Sequence, residues 1–504
     1  MQPDIYIERL VGRLAAGGNR PCFRHRGLDV PASAFLASIF RYARALAGIG
    51  IGRGSLVALL APNRPDAVAI RYAANLIGAA TAFLSAPPAE SARTRMLAVL
   101  DPTLLVAFPE TRHLVQNPAP VRLAAAGGDV PGASLQVDEL AARQFADPVA
   151  CLARPDDLAV VVSSGGSTGV PKGSWRTFRA YSAMVDVPSA ADRRQLVNGR
   201  LAYLSQVLVD ITLLGGGTVV FDDGYEPART LAMIQAERIT DLFLVEPQLF
   251  ELMDHADVAC TDLSSLGSLT HIGTSAPPTL RRRARDRLGP VVAHTYGASE
   301  EGLVSILSPA GHDRPERFAC AGRIQPGVEV RLRCPDGALA GPGEIGGIEV
   351  RSPALANGYL HRPELDATAF VDGWYRSGDL GRLDEEGYLH ILGRAVDITW
   401  IGGRMLSPTM VEDTLCRQPS VRHAVVVVDA GRWLAAALSW PSIPVDAPAC
   451  LRAIADGHGP EAAGRVLILP LDAIPPTEQG KPDREAIRRL GSGSSGQPPI
   501  TASG

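Results

Sequence analysis

The stretch Leu158-Ala-Val-Val-Val-Ser-Ser-Gly-Gly-Ser-Thr-Gly-Val-Pro-Lys172-Gly173 runs from an apolar strand into a loop of glycines and hydroxyls that closes on a lysine. Gly165, Gly166 and Gly169 carry no Cβ and let the backbone approach an anion closely, while Ser164, Ser167 and Thr168 offer hydroxyl donors. Lys172 is one of only two lysines among 49 lysines and arginines in this 504-residue chain. The other, Lys481, lies in Pro475-Pro-Thr-Glu-Gln-Gly-Lys481-Pro482, again beside a glycine. An ammonium is a compact charge on a flexible stem, whereas a guanidinium is a broad planar fork. Lysine at these two loops alone therefore points to a small mobile cation needed there; coding bias with two accidental survivors is the blander account.

Outward from this loop the chain alternates between two periodicities. Residues 33–47 place Phe35, Leu36, Ile39, Phe40, Ala43 and Leu46 at helical spacing behind Ser33 as a candidate cap. Strand-like runs at 55–61, 158–162, 218–221, 242–245 and 269–272 are separated by helical stretches such as 66–76, which predicts a layered α/β body with parallel pairing. After about residue 320 the pattern changes. Runs at 329–333 and 344–351 flank a Pro335-Asp336-Gly337 turn and read as antiparallel strands, with another at 388–392. A compact unit follows over 395–490, with a helix at 408–416 and strands at 424–428 and 433–438. Residues 491–504, rich in glycine and serine, form a flexible tail.

Composition narrows the function classes. Hydrophobic residues at 46% and charged residues at 20% fit a folded chain of two or three domains. A net charge of −4 argues against nucleic acid as a partner. The densest basic run, 281–287, is expected to be a solvated helix face. Seven dispersed cysteines without Cys-x-x-Cys spacing suggest neither disulfides nor zinc and fit a reducing compartment. With no membrane-length apolar run and no leader pattern, a cytoplasmic location is expected.

The loop at 163–173 does not fit the ordinary NTPase P-loop, because Pro171 stands where glycine must precede the lysine. It resembles instead the phosphate-binding signature of adenylate-forming enzymes: acyl-CoA synthetases, peptide-synthetase adenylation domains and luciferase. Further motifs of that superfamily follow in order. Tyr296-Gly297-Ala298-Ser299-Glu300 resembles its Tyr-Gly-x-Thr-Glu, and Trp374-Tyr-Arg-Ser-Gly-Asp379 its Trp-x-x-Thr-Gly-Asp. Gly393-Arg394 with Gly402-Gly403 and Pro408 resembles its hinge, and Pro476-Thr-Glu-Gln-Gly-Lys481 its catalytic-lysine motif. Gly358-Tyr359 is a weaker echo.

The resemblance implies an α/β fold: a large body over 1–394 with a small β-barrel-like part, and a mobile α+β domain over 395–490 carrying the lysine. It implies activation of a carboxylic acid, fatty or aryl, by ATP to an acyl-adenylate with release of pyrophosphate, then transfer to CoA. Ser164, Gly165, Gly166, Ser167, Thr168, Gly169 and Lys172 would hold phosphates; Thr274, Ser275, Tyr296, Gly297, Ser299, Asp379 and Arg394 would complete the nucleotide site. Glu300, with Thr168, would ligate Mg²⁺, and Lys481 would neutralise the meeting anions. Loading of the phosphopantetheine of a separate carrier protein is the alternative within enzymes, and a non-catalytic acyl or nucleotide sensor the alternative outside them.

Several positions depart from the superfamily pattern. Gly165 replaces a hydroxyl residue, and Thr177-Phe178 replaces a Thr/Ser-His pair. The run 203–214, expected to line the acyl pocket with 271–277 and 297–305, is shortened and lacks histidine. Thr274-Ser-Ala-Pro277 replaces Gly-Gly-Ala-Pro. At the hinge Val396 stands where Asp or Lys is usual, and Arg404-Met405 replaces Glu-Asn. Adenylation is therefore the firmer expectation and the thiol step the weaker. Asp210 lies too close to Gly216 to hold a substrate amino group.

Overall fold

The computed structural model describes residues 5–85, 89–115, 121–165, 171–272, 277–429 and 431–492, with backbone alone at 163–165 and 171. Two large sheets dominate the described residues. In the first, the strands Arg194–Val197, Thr218–Phe221, Asp241–Val245, Ser268–Ile272 and Val292–Ala298 run parallel, and Gly302–Leu307 turns back antiparallel at one side. In the second, Leu56–Leu60, Ala80–Phe83, Leu104–Ala107 and Leu158–Gly165 are parallel neighbours. Leu158–Gly165 then pairs antiparallel with Pro171–Thr177, Ser164 opposite Lys172, so the two strands flank the glycine-rich stretch.

Parallel strands buried on both faces explain the continuous apolar runs that marked them in the sequence. The helices Ala32–Gly48 and Pro65–Leu76 cover the sheets with Phe35, Ile39, Val68 and Ile70 in the core. The expected helix at 33–47 is present, but Ser33 does not cap it. Pro31 occupies the cap position, and Ser33 Oγ instead reaches Asn19 Oδ1 at 3.4 Å. At the departure Thr177-Phe178, Thr177 caps the helix Phe178–Val185 and Phe178 is buried in the core.

The basic run 281–287 is a correction to the solvated face expected of it. On the helix Pro278–Leu288, Arg281 is buried and donates to the Cys320 carbonyl at 3.0 Å, and Arg283 reaches Asp254 at 2.9 Å. The helix lies between the body and the 395–490 segment, so its arginines meet partners on both sides. Asp210 is also buried and saturated by Arg71 at 2.7 Å, Tyr181 at 2.5 Å and Tyr72.

After residue 320, Glu329–Arg333, Gly346–Arg351, Trp374–Leu383, Phe370–Val371 and Leu389–Arg394 form an antiparallel sheet. Beyond Arg394 the hairpin Thr399–Ile401 with Arg404–Leu406 leads to the helix Pro408–Cys416. The sheet His423–Asp429, Arg432–Leu438 and Val466–Leu471 follows. This segment docks on the body through Leu280, Ala284, Val411 and Leu415, and through Asp254, which bridges Arg283 and Arg422. Among the described residues no helix is long and apolar enough to cross a membrane.

Candidate active site

The ends of the strands Val292–Ala298 and Trp374–Leu383 bring three distant motif residues together. Tyr296 donates its hydroxyl to Asp379 Oδ2 at 2.8 Å, and Arg394, directly opposite Asp379 in the antiparallel register, places Nε 3.2 Å from Oδ1. Arg394 also donates to the Ser377 carbonyl at 2.7 Å, and Ser377 Oγ accepts from the Asp379 amide at 3.1 Å. Burial raises the pKa of Asp379, with Arg394 and Tyr296 opposing the rise. The Arg394 contact is an ion pair out of line with the N–H, so the buried Oδ1 accepts no hydrogen bond from the protein. That free acceptor beside the buried Tyr296 fits a ribose hydroxyl.

Gly297 has a geometric reason to be glycine. The register between the strands slips at Tyr296/Gly297, and a Cβ at Gly297 would lie 2.1 Å from the Gly302 carbonyl oxygen. The tight bulge delivers Ser299 and Glu300 to the cleft. Glu300 is buried and held at both oxygens: Ser299 Oγ donates to Oε2 at 2.7 Å and Tyr359 to Oε1 at 3.0 Å. Lys172 stands over the Tyr359 ring, 5.2 Å from its centroid, so the strand pair that flanks the glycine-rich stretch meets the carboxylate through one tyrosine.

Arg176, which the sequence did not mark, braces this turn from below. Its guanidinium donates to the carbonyls of Ala354 at 2.7 Å, Ser299 at 2.7 Å and Glu300 at 3.2 Å. Burial pulls its pKa down to about 10, Glu300 opposing. Glu301, also unmarked, is buried behind Tyr296 with Oε2 unpartnered; burial, with Asp379 and Glu300 nearby, raises its pKa far above the carboxylate range. Nothing local in the sequence announces either residue, because their partners lie far along the chain. Tyr359 had a signal, the Gly358-Tyr359 echo.

Lys481 enters from the opposite wall. Its loop is closed by Thr477 N donating to the Lys481 carbonyl at 2.7 Å, and by Gly480 at φ 78°. Gly480 packs so close to Gln248 that a Cβ would sit 2.8 Å from its amide nitrogen, and Tyr203 donates to Glu478 from the other side. Lys481 remains open to the cleft. The protein around its ammonium lowers its pKa below the ordinary lysine value, Arg394 adding to the effect and Glu300 opposing it. Lys481 thus lies within electrostatic reach of Arg394 and of the buried Glu300. Gly166, Ser167, Thr168, Gly169, Thr274 and Ser275 lie outside the described residues, and Ser164 and Gly165 are placed by backbone alone. Val396 follows Arg394 in a short turn and is 87% exposed.

The chain is similar to known proteins over nearly its whole length. The pattern of the AMP-binding enzyme family matches residues 16–360. A medium/long-chain-fatty-acid–CoA ligase of Mycobacterium tuberculosis is 29% identical over 510 residues, covering 95% of this chain and 89% of the relative. A feruloyl-CoA synthase of an Amycolatopsis species is 31% identical over 433 residues, covering 84% and 85%. Among solved structures, an amide bond synthetase from Marinactinospora thermotolerans superposes with a TM-score of 0.87 at 29% identity, covering 96% of this chain and 99% of the other.

Proposed function

The chain belongs to the AMP-binding enzyme family, and from that premise we propose that it activates a carboxylic acid with ATP and passes the acyl group to a thiol, CoA. A carboxylate is a poor electrophile because its leaving group would be oxide. In the first half-reaction its oxygen attacks the α-phosphorus of ATP, the bond to the β-phosphate oxygen breaks, and pyrophosphate leaves with the electron pair. In the second, the thiol sulfur attacks the acyl carbon, the C–O bond to AMP breaks, and the thiol proton passes to solvent.

The observation that carries this reading is the approach of Lys481 to a cleft already holding Arg394, Asp379 and Glu300. The first half-reaction brings two anions together, so positioning and charge neutralisation supply most of its catalysis. We take the Lys481 ammonium as the charge that neutralises the meeting carboxylate and α-phosphate. Asp379 and Tyr296 hold ribose and adenine, and Ser299 lies beside the phosphates. The hard oxygens of Glu300 suit Mg²⁺, which is usually held by one or two protein carboxylates together with substrate phosphates and waters. A bound Mg²⁺ would neutralise phosphate charge. We read residues 395–490 as a separate domain that presents Lys481 in this orientation and turns for the second half-reaction.

A second acceptor is favoured by one observation: the structural neighbour is an amide bond synthetase. An amine in place of the thiol needs the same adenylate. The test is release of pyrophosphate and AMP from ATP and Mg²⁺ with a panel of fatty and aryl acids, run with CoA, with a primary amine and with neither. Acid-dependent pyrophosphate with AMP release quickened by CoA supports the proposal; quickening by the amine alone moves the acceptor. Pyrophosphate release indifferent to every acid contradicts acid activation.

A further inference from the structure

The helix Gln206–Gly215 carries two buried polar side chains one turn apart, and only one of them has partners among the described residues. Asp210 takes hydrogen bonds from Arg71, Tyr72 and Tyr181. Gln206, 1% exposed, makes none among the described residues: both its Nε2 and its Oε1 are sealed from solvent without a partner there. A buried amide left unmade is costly, and native proteins keep few of them. Leucine or methionine would fill the same space without that cost.

The position of Gln206 indicates what it serves. It follows directly on the wide turn Leu201–Ser205, where Tyr203 leaves helical geometry at φ −127° and ψ −140°. Tyr203 donates to Glu478, three residues before Lys481, and the same loop touches Gln248 through Gly480. On the reading of Lys481 above, the turn that ends on Gln206 borders the place where the acid's carboxylate would lie, and the remainder of the acid would run along a neighbouring wall.

Resting on the acid-activating reading above, we infer that Gln206 determines specificity by pairing with a hydroxyl on the body of the acid, so that the substrate class is a hydroxylated aryl acid and not a plain hydrocarbon one. A carboxamide presents an N–H donor and a carbonyl acceptor side by side. A hydroxyl gives one hydrogen and accepts another, so a single group satisfies both atoms. A methyl satisfies neither. A charged group would enter with no counter-ion, since the buried residues beside Gln206 include Leu201, Ala202, Val207 and Val209. Sites built to hydrogen-bond a substrate hydroxyl reject the analogue lacking it far more strongly than apolar pockets reject a missing methylene.

The test measures acid-dependent pyrophosphate release with 3- and 4-hydroxycinnamic acids, each against its methyl counterpart, in the wild-type chain, Gln206→Leu and Gln206→Met. The expected result is a wild-type preference of at least about tenfold in kcat/KM for one hydroxy acid over its methyl twin. Both variants lose that preference, and neither melts below the wild type, because neither leaves an amide unpaired. An unchanged preference in a folded variant overturns the inference, as does a wild type that favours the methyl acids. A fall in melting temperature with the preference intact assigns the amide a structural partner and also overturns it. If no acid of any kind elicits pyrophosphate, the acid-activating reading fails, and this inference with it.

Discussion

On the body side of the cleft Asp379, Tyr296, Arg394 and Ser377 form a closed set of contacts between 2.7 and 3.2 Å, and Arg176 braces the Ser299–Glu300 turn with three more. On the opposite side Lys481 rides on a loop held to the body by Tyr203 at Glu478 and by the packing of Gly480 on Gln248. The first arrangement is rigid and suits a nucleotide that stays bound through both half-reactions. The second is held by few contacts at the loop itself, while the 395–490 segment behind it docks on the body through a buried apolar cluster. The contrast divides the two lysines: Lys172 stacks on Tyr359 beside the Glu300 turn, whereas Lys481 sits on the loop that Tyr203 and Gln248 hold from the other side.

Removing the cation should have the largest effect. Lys481→Ala is expected to slow adenylation by about 10²- to 10³-fold, the usual loss for one pre-organised group facing developing charge. Transfer from pre-formed acyl-adenylate to CoA should stay within a few-fold of wild type, read by stopped assays of each half-reaction. Equal loss in both would assign Lys481 to both half-reactions. Tyr203→Phe removes one hydrogen bond from the loop and should cost the first half-reaction about 2- to 10-fold. A similar loss in the second would show that the contact serves the whole fold.

The smallest effect concerns the surface on which the 395–490 segment docks. Glu246 lies 3.2 Å from His423 and near Glu412, Arg281 and Arg484; burial pushes the carboxyls of Glu246 and Glu412 up to about 8 and His423 down to about 3. Glu246 therefore binds its proton more tightly folded than unfolded. Its contribution to stability is complete below the ordinary carboxylate pKa and is lost as pH rises from there through about 8. Glu246→Gln has no proton to lose. Its melting temperature relative to wild type should climb between pH 5 and pH 8, by roughly 1 °C for each kcal/mol wild type loses. A flat difference would show that the dock does not titrate through Glu246.

The sequence carried the body side of the site well and the Lys481 side in part. Tyr296, Asp379 and Arg394 were marked in the sequence by motifs resembling those of the superfamily, and the structure joins them across 83 and 15 residues of chain. The strand runs near 218–221 and 269–272 were legible because burial on both faces demands unbroken apolar stretches. Arg176 and Glu301 were not, since each acts through partners far along the chain and carries no local periodicity; Tyr203 and Gln206 fell inside the run 203–214 expected to line the acyl pocket, but nothing local singled them out within it. Arg281 was misread for the same reason: a basic run looks solvated until another segment packs on it. Ser33 lost its expected capping role because the helix begins before it, at Ala32 behind Pro31.

If this cleft joins a carboxylate to the α-phosphate of ATP, the adenylate forms before any acceptor is present. The most direct measurement is mass spectrometry of the acid-quenched protein after incubation with ATP, Mg²⁺ and an acid that passes the pyrophosphate screen, with no acceptor present. The account predicts about one equivalent of acyl-AMP per chain, accompanied by pyrophosphate and missing from Lys481→Ala on the same time scale. Accumulation of ADP with an acyl phosphate, or of AMP with no acylated nucleotide at any time, would contradict it.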